Sequence, residues 1–256
     1  MKEKKGSIIQ TVAGLVILIA GIVLCINTYV VKGNKAYAVS LLTAIVGAVI
    51  LISGLYSLFS KNEKKPIDAK VIAQAALCAA LCYVGATFIK IDIPVGTERT
   101  MFHFGNVFCV LAALLLGGTW GGLAGAVGMT ISDLTTAYVT SAPKTFFLKL
   151  CIGLIVGFVA HRLFKLSKEH SVKYVTIATV VSSVCGMLFN VVADPIVGYF
   201  YKTYLLGVPQ DLAKALAKVG AVTTSVNAVI AVVVASIIYL ALRPVMKKSD
   251  MFKGIL

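Results

Sequence analysis

Two uninterrupted apolar runs, Ile8 to Val31 and Ala36 to Phe59, open the chain without a single Asp, Glu, Lys or Arg inside them. A bilayer core about 30 Å thick is crossed by about 20 helical residues rising 1.5 Å each, and both runs exceed that length. Backbone groups in lipid must satisfy one another, so runs of this kind fold as helices or not at all. The rest of the chain continues the pattern: hydrophobic residues make up 59% of the 256 and charged residues 13%. Soluble domains hold roughly 45–50% and 25%.

Beyond the first two runs, six further spans are predicted: Val71 to Ile89, Phe102 to Gly117, Trp120 to Val139, Phe146 to Phe164, Tyr174 to Tyr201 and Val219 to Leu242. Between the two groups, Ser60-Lys-Asn-Glu-Lys-Lys-Pro66 breaks the apolar pattern with charge and a proline. The expected fold is therefore an all-α polytopic membrane protein. Residues 1–66 form a transmembrane hairpin, joined at the polar turn Lys32 to Lys35, and a cytoplasmic linker; residues 67–256 form a six-helix core. Pro195 is expected to bend the fifth core helix. Although Met1-Lys-Glu-Lys-Lys5 before an apolar run imitates a signal peptide, no small-residue cleavage site follows, so the segment is read as a retained anchor.

Lys and Arg placement orients the spans, because positive loops stay on the cytoplasmic side. With the N-terminus inside, fifteen of the 24 Lys and Arg residues fall on that side, so both termini are expected to be cytoplasmic in the cell membrane. The net charge of +14 then reflects topology and an anionic lipid surface, not nucleic acid, since no basic patch interleaved with aromatics stands outside the spans. Cys25, Cys78, Cys82, Cys109, Cys151 and Cys185 all sit in apolar stretches and are read as small hydrophobes; no metal site or cofactor is expected.

Polar and ionisable side chains inside spans are costly unless paired or facing a cavity. In the chosen orientation they gather at one depth. His103 and Asn106 sit at the outer end of the second core helix, Asp133 in the outer third of the third, and Lys144 and Lys149 at the entry of the fourth. Asn190 and Asp194 follow at the exit of the fifth and Asn227 at the entry of the sixth. Outer loops at Lys90 to Met101, Thr140 to Pro143 and Lys202 to Leu216 would lie above them. A pocket open to the outside accounts for this set, with Tyr138, Tyr199 and Tyr204 as candidate stacking rings. The competing reading is structural: ion pairs among Asp133, Lys149 and Asp194, and packing bonds from the Asn residues.

Small residues gather at the other depth. Ala75 and Ala79, like Ala76 and Ala80, recur at four-residue spacing, and Gly117-Gly-Thr-Trp-Gly-Gly122 opens the third core helix. Such spacing lets backbones approach, either within the bundle or against a partner protein. No G-x-x-x-x-G-K-[ST], H-E-x-x-H or G-x-S-x-G is present, so no catalytic residues are assigned and an enzyme is not expected.

From Lys70 to Arg243 the chain resembles the substrate-binding S components of energy-coupling factor (ECF) vitamin transporters, nearest the riboflavin- and pyrimidine-type members. The resemblance rests on Ala75-Ala-Leu-Cys-Ala-Ala80, His103-Phe-Gly-Asn106, Leu114-Leu-Leu-Gly-Gly-Thr-Trp-Gly-Gly122, Ile131-Ser-Asp-Leu134 and Ser141-Ala-Pro-Lys-Thr-Phe-Phe-Leu-Lys149, in that order. It implies a six-helix membrane fold that captures a vitamin or related small molecule from outside. It also implies docking through Ala75 and Ala79 on a transmembrane coupling subunit, which works with two ATPase subunits. The N-terminal hairpin departs from the six-helix pattern. The alternative function is a stand-alone secondary transporter in which Asp133 or Asp194 couples to protons.

Overall fold

Helices α1 (Lys2–Thr28) and α2 (Lys35–Phe59) open a computed structural model that describes residues 2–29, 35–59 and 69–248. The polar turn at 32–34 and the linker at Ser60 to Pro66 lie outside the described residues. The two helices run antiparallel along a glycine seam of heptad spacing. Gly14 and Gly21 back onto Leu51 and Ala44, while Gly47 and Gly54 back onto Leu18 and Thr11, each so close that a Cβ would collide. Repeating every seven residues keeps the small positions on one contact line, as in a left-handed helix pair. Ser7 with Ser57 (2.7 Å) and Gln10 with Ser53 (3.0 Å) bond across one end of the seam.

The core begins with α3 (Ala69–Thr87). Where a loop is expected from Lys90 to Met101, the chain instead forms an antiparallel ribbon of β1 (Lys90–Val95) and β2 (Glu98–His103), paired from Lys90↔His103 to Val95↔Glu98. Gly96, at φ +61°, opens its two-residue turn, a position that favours glycine. Then follow α4 (Gly105–Thr135), α5 (Ala142–Gly157), α6 (Val172–Phe200) and α7 (Gln210–Lys248). A 3-10 turn, Val139–Ser141, precedes α5, and π turns, Phe158–Leu163 and Tyr201–Leu205, extend α5 and α6. Among the described residues seven helices are long and apolar enough to cross a membrane.

Helix α4 contains two of the predicted spans. At Gly117 the backbone takes φ 78° and ψ 178°, a conformation open essentially to glycine alone. The chain reverses there, and arms 105–116 and 118–135 lie side by side: Gly121 meets Ala113, Gly125 meets Cys109, and Gly105 meets Met129. The core thus presents six helical arms, as the sequence predicts, with a break at the predicted place.

Four of those arms bury the main apolar cluster. Val110 and Leu114 of α4, Ile152 and Val156 of α5, Val175 and Met187 of α6, and Ala231, Ala235 and Tyr239 of α7 pack together. This cluster closes one end of the bundle. The same helices carry polar side chains at the other end, where the ribbon lies. At about 58 Å, α7 is nearly twice the thickness of a hydrocarbon core, and its first turns reach past the apolar zone beside the ribbon.

Candidate substrate-binding site

All nine residues singled out as a pocket lining, His103, Asn106, Asp133, Tyr138, Lys144, Lys149, Asn190, Asp194 and Asn227, border one cavity at the ribbon end of the bundle. Its free space, about 110 Å³ for the centre of a water molecule, exceeds the roughly 10–15 Å³ that a single water needs. The walls are a web of bonds between elements.

Asn106, first turn of α4 and 1% exposed, accepts through Oδ1 from Lys149 Nζ of α5 at 2.8 Å. Lys149 is itself 7% exposed, and among the described residues no carboxylate lies within salt-bridge distance of it. Asp133, at the end of the second arm of α4 and 2% exposed, accepts from the Thr145 hydroxyl. Asp194 of α6 is bound on both oxygens, by Lys144 Nζ at 2.8 Å and by the Thr224 hydroxyl of α7 at 3.1 Å. Asn190, one turn before it and 1% exposed, has an Oδ1 with no partner. The expected ion pairing therefore joins Asp194 to Lys144, whereas Asp133 and Lys149 each take a neutral partner.

The ribbon is fastened over this cavity from three sides. Asn227 of α7 accepts from the backbone N–H of His103 (3.0 Å) and donates to the Met101 carbonyl (3.1 Å), so its side chain continues the sheet's own hydrogen bonding. Tyr138 donates to Asp92 Oδ1 at 2.7 Å, and Lys202 pairs with Glu98 at 3.0 Å. Thr100 and Thr223 hydroxyls meet at 3.1 Å. Partial burial pushes the Asp92 carboxyl up, but the hydrogen bonds from Tyr138 and Lys90 outweigh it and hold it below the usual carboxylate range. Burial and then the Lys149 charge push the His103 imidazole down to about 3, so it is neutral; its Nδ1 is buried without a partner.

Several expectations need correction. Of the three tyrosines considered for stacking, only Tyr138 borders the cavity; Tyr199 and Tyr204 instead pack on Phe200. The stretch from Lys202 to Leu216 is not a loop: Lys202 lies in the π turn, and Ala213 and Leu216 line the cavity from the first turns of α7. Ala75 and Ala79 lie on the side of α3 that packs on α4, Ala79 only partly covered. Ala75 is buried with Cys78, Ala112, Leu116 and Ala124, and Ala79 packs against the same cluster, its carbonyl against Gly128. One position on, Ala76 and Ala80 are exposed. Sequence reasoning also missed Thr145, Thr223 and Thr224. A hydroxyl in a membrane helix can bond its own backbone at little cost, so threonine carries no signal until its neighbours are known.

The comparisons with known proteins fit this architecture. An uncharacterized protein in gap 3′ region from Pyrococcus woesei is 34% identical over 74 residues, which is 29% of this chain and 49% of that protein. The chain thus spans about half the length of that relative. No solved structure matches. Residues 67–244, well over half of the chain and the whole of the ribbon-and-helix core, match the family model described as ECF-type riboflavin transporter, S component. The chain, with helices long and apolar enough to cross a membrane, belongs to the family of ECF-type riboflavin transporter S components.

Proposed function

We propose that the cavity is the substrate site, that it faces outward, and that it captures a vitamin or related small molecule for ATP-driven uptake by separate subunits. The single observation that carries this reading is the state of the buried polar groups. A structural network satisfies its members. Among the described residues Lys149 meets only a neutral amide, and Asn190 Oδ1 and His103 Nδ1 meet nothing; unlike the unpartnered Ser236 Oγ and Tyr239 Oη of the packed end, these groups border one cavity. These are the groups a ligand would complete, a cation and free acceptor positions placed around one water-accessible space.

Outward orientation rests on the distribution of Lys and Arg, which places the ribbon end outside and both termini in the cytoplasm. Lacking a nucleotide-binding motif, the chain depends on partners for ATP hydrolysis: a transmembrane coupling subunit and two ATPase subunits. Two stripes of α3, Ala75 and Ala79, which α4 partly covers, and the exposed Ala76 and Ala80, offer the coupling subunit a close-approach surface. A proton-coupled secondary transporter is the second reading: both oxygens of Asp194 are committed, which leaves Asp133, bound by Thr145 through one oxygen, as its candidate carboxylate.

Riboflavin is the first probe to use. Binding by the purified chain in detergent, lost in Lys149→Ala and in Asn190→Ala, supports the assignment. Unchanged affinity in both variants overturns it. Uptake by vesicles that hold this chain without the ATPases would establish the secondary-transporter reading instead.

A further inference from the structure

The α1–α2 hairpin precedes the residues matched by the family, and none of its side chains lines the cavity. It nevertheless meets the core at two distinct places. At mid-depth, Leu42 packs on Ala126, Ala142 and Phe146, with Val46 and Val49 alongside. Toward the ribbon end, Tyr37 is 4% exposed and is buried against Tyr201 and Leu206.

The second contact falls on a clip between two cavity walls. Tyr201 Oη donates to the Thr140 carbonyl at 2.7 Å, tying the end of α6 to the 3-10 turn that begins α5. Each partner stands beside a residue of the cavity: Tyr201 precedes Lys202, and Thr140 precedes Ser141, one turn before Lys144. Helix α2 also packs directly on that 3-10 turn. A hydrogen bond at the rim of a water-accessible cavity competes with water, and covering it with an aromatic ring removes the competitor.

We propose that the hairpin is a positioning element of the binding site, with Tyr37 shielding the Tyr201–Thr140 clip so that Lys144 and Lys202 keep the spacing a substrate meets. This inference rests on the cavity being the substrate site, yet its first test needs no ligand. Hydrogen–deuterium exchange of the full-length protein in nanodiscs is compared for wild type, Tyr37→Ala, Tyr201→Phe, the double variant and Val49→Ala. Tyr37→Ala should speed exchange about tenfold in segments 136–146 and 198–208 while leaving the ribbon, 90–103, unchanged. Tyr201→Phe should loosen the same two segments, and the double variant should add little to either single one, as for residues acting through one contact. Val49→Ala weakens the mid-depth contact, whose Ala142 and Phe146 lie within 136–146, so the discriminating readout is segment 198–208, which should stay at the wild-type rate.

Unchanged exchange in Tyr37→Ala overturns the proposal, as does equal loosening of segment 198–208 in Val49→Ala, which would mean general destabilisation. Riboflavin titration then supplies the functional arm, with affinity about tenfold weaker in Tyr37→Ala and unaltered in Val49→Ala. If wild type fails to bind riboflavin, the substrate reading fails for that probe, while the exchange pattern still decides whether the hairpin positions these walls. Binding that survives Tyr37→Ala intact, with both segments loosened, overturns the functional half alone.

Discussion

The two ends of the core bundle are built from the same helices and differ in how their polar atoms are satisfied. At the closed end of α6, Thr179, Ser182 and Ser183 are fully buried, and each hydroxyl donates to the carbonyl four residues back in its own helix. At the ribbon end, amides, carboxylates and ammonium groups reach other elements: Lys149 to Asn106, Lys144 to Asp194, Asn227 to two residues on one edge of β2. Burial of polarity is common to both, and so are unpartnered atoms: Ser236 Oγ and Tyr239 Oη of α7 bond nothing among the described residues. What separates a site from a packed interior here is dependence on a neighbour. At the closed end Arg243 donates to the Leu166 and Lys168 carbonyls beyond the π turn, and the His161 ring bonds the Leu114 carbonyl.

The most severe way to break the comparison is to remove the ribbon end's least compensated group. Lys149→Met should weaken riboflavin binding by about 2–5 kcal/mol, the usual cost of deleting one partner of a buried charged contact. Because no carboxylate among the described residues lies within salt-bridge distance of the cation, deleting it also relieves desolvation, so the melting temperature should not fall. Titration by quenching of riboflavin fluorescence, beside a thermal melt, reads both. A large loss of stability with little loss of affinity would show Lys149 to be structural and erase the distinction.

The converse variant sits at the opposite end. Gly117→Ala puts a side chain at φ 78° and ψ 178°, which costs about 1–3 kcal/mol. Thermal unfolding should shift down accordingly, while riboflavin affinity stays within about twofold of wild type. A parallel fall in affinity would mean that the reversal at Gly117 transmits to the cavity and that the two ends are not separable.

How far this division was readable beforehand depended on the cost of each group. Asp133, Lys149 and Asn190 are expensive enough in a bilayer to declare themselves from position alone, and Gly117-Gly118 marks a break that two apolar runs of sufficient length already required. The ribbon was less visible. Ile91, Ile93 and Val95 alternate with Lys90 and Asp92 before Gly96-Thr97, a strand-and-turn pattern too short to stand out beside 20-residue apolar runs. The alanines of α3 show a different limit. A four-residue repeat fixes a stripe, but two stripes, Ala75/Ala79 and Ala76/Ala80, satisfy it equally, and which one faces α4 is decided only by packing against Ala112, Leu116 and Ala124.

A smaller effect is expected from pH, acting on the ribbon's fastening. Asp92 is held below its ordinary value when Tyr138 and Lys90 are in place, and burial raises the Tyr138 phenol, so Tyr138 stays a donor throughout. A carboxylate with a depressed folded pKa contributes stability that is complete above its unfolded value, about 3.9, and is lost as pH falls through the folded one. Amide exchange in residues 90–103 should therefore be governed by the same opening equilibrium from pH 5 to 8 and loosen only below about pH 4. Asp92 is partly exposed, and solvent screening limits the gain to less than about 1 kcal/mol. Loosening between pH 6 and 7 would instead implicate a group with a pKa in that range, which the neutral His103 does not supply.

The smallest predicted effect tests the comparison most directly, because it asks a fully buried polar atom to be unimportant. Ser183→Ala removes a hydroxyl that, among the described residues, bonds only the Thr179 carbonyl, already engaged in the backbone ladder of α6. Nothing in another helix is left unpaired, so the cost should stay within about 0.5 kcal/mol, near the lower range for a single net hydrogen bond. Asn190→Ala, on the same helix seven residues later, removes an atom with no protein partner at all and should cost affinity instead of stability. If Ser183→Ala were the more damaging of the two in both melting temperature and riboflavin titration, then burial itself, and not reliance on a neighbouring element, would mark the groups that matter in this bundle.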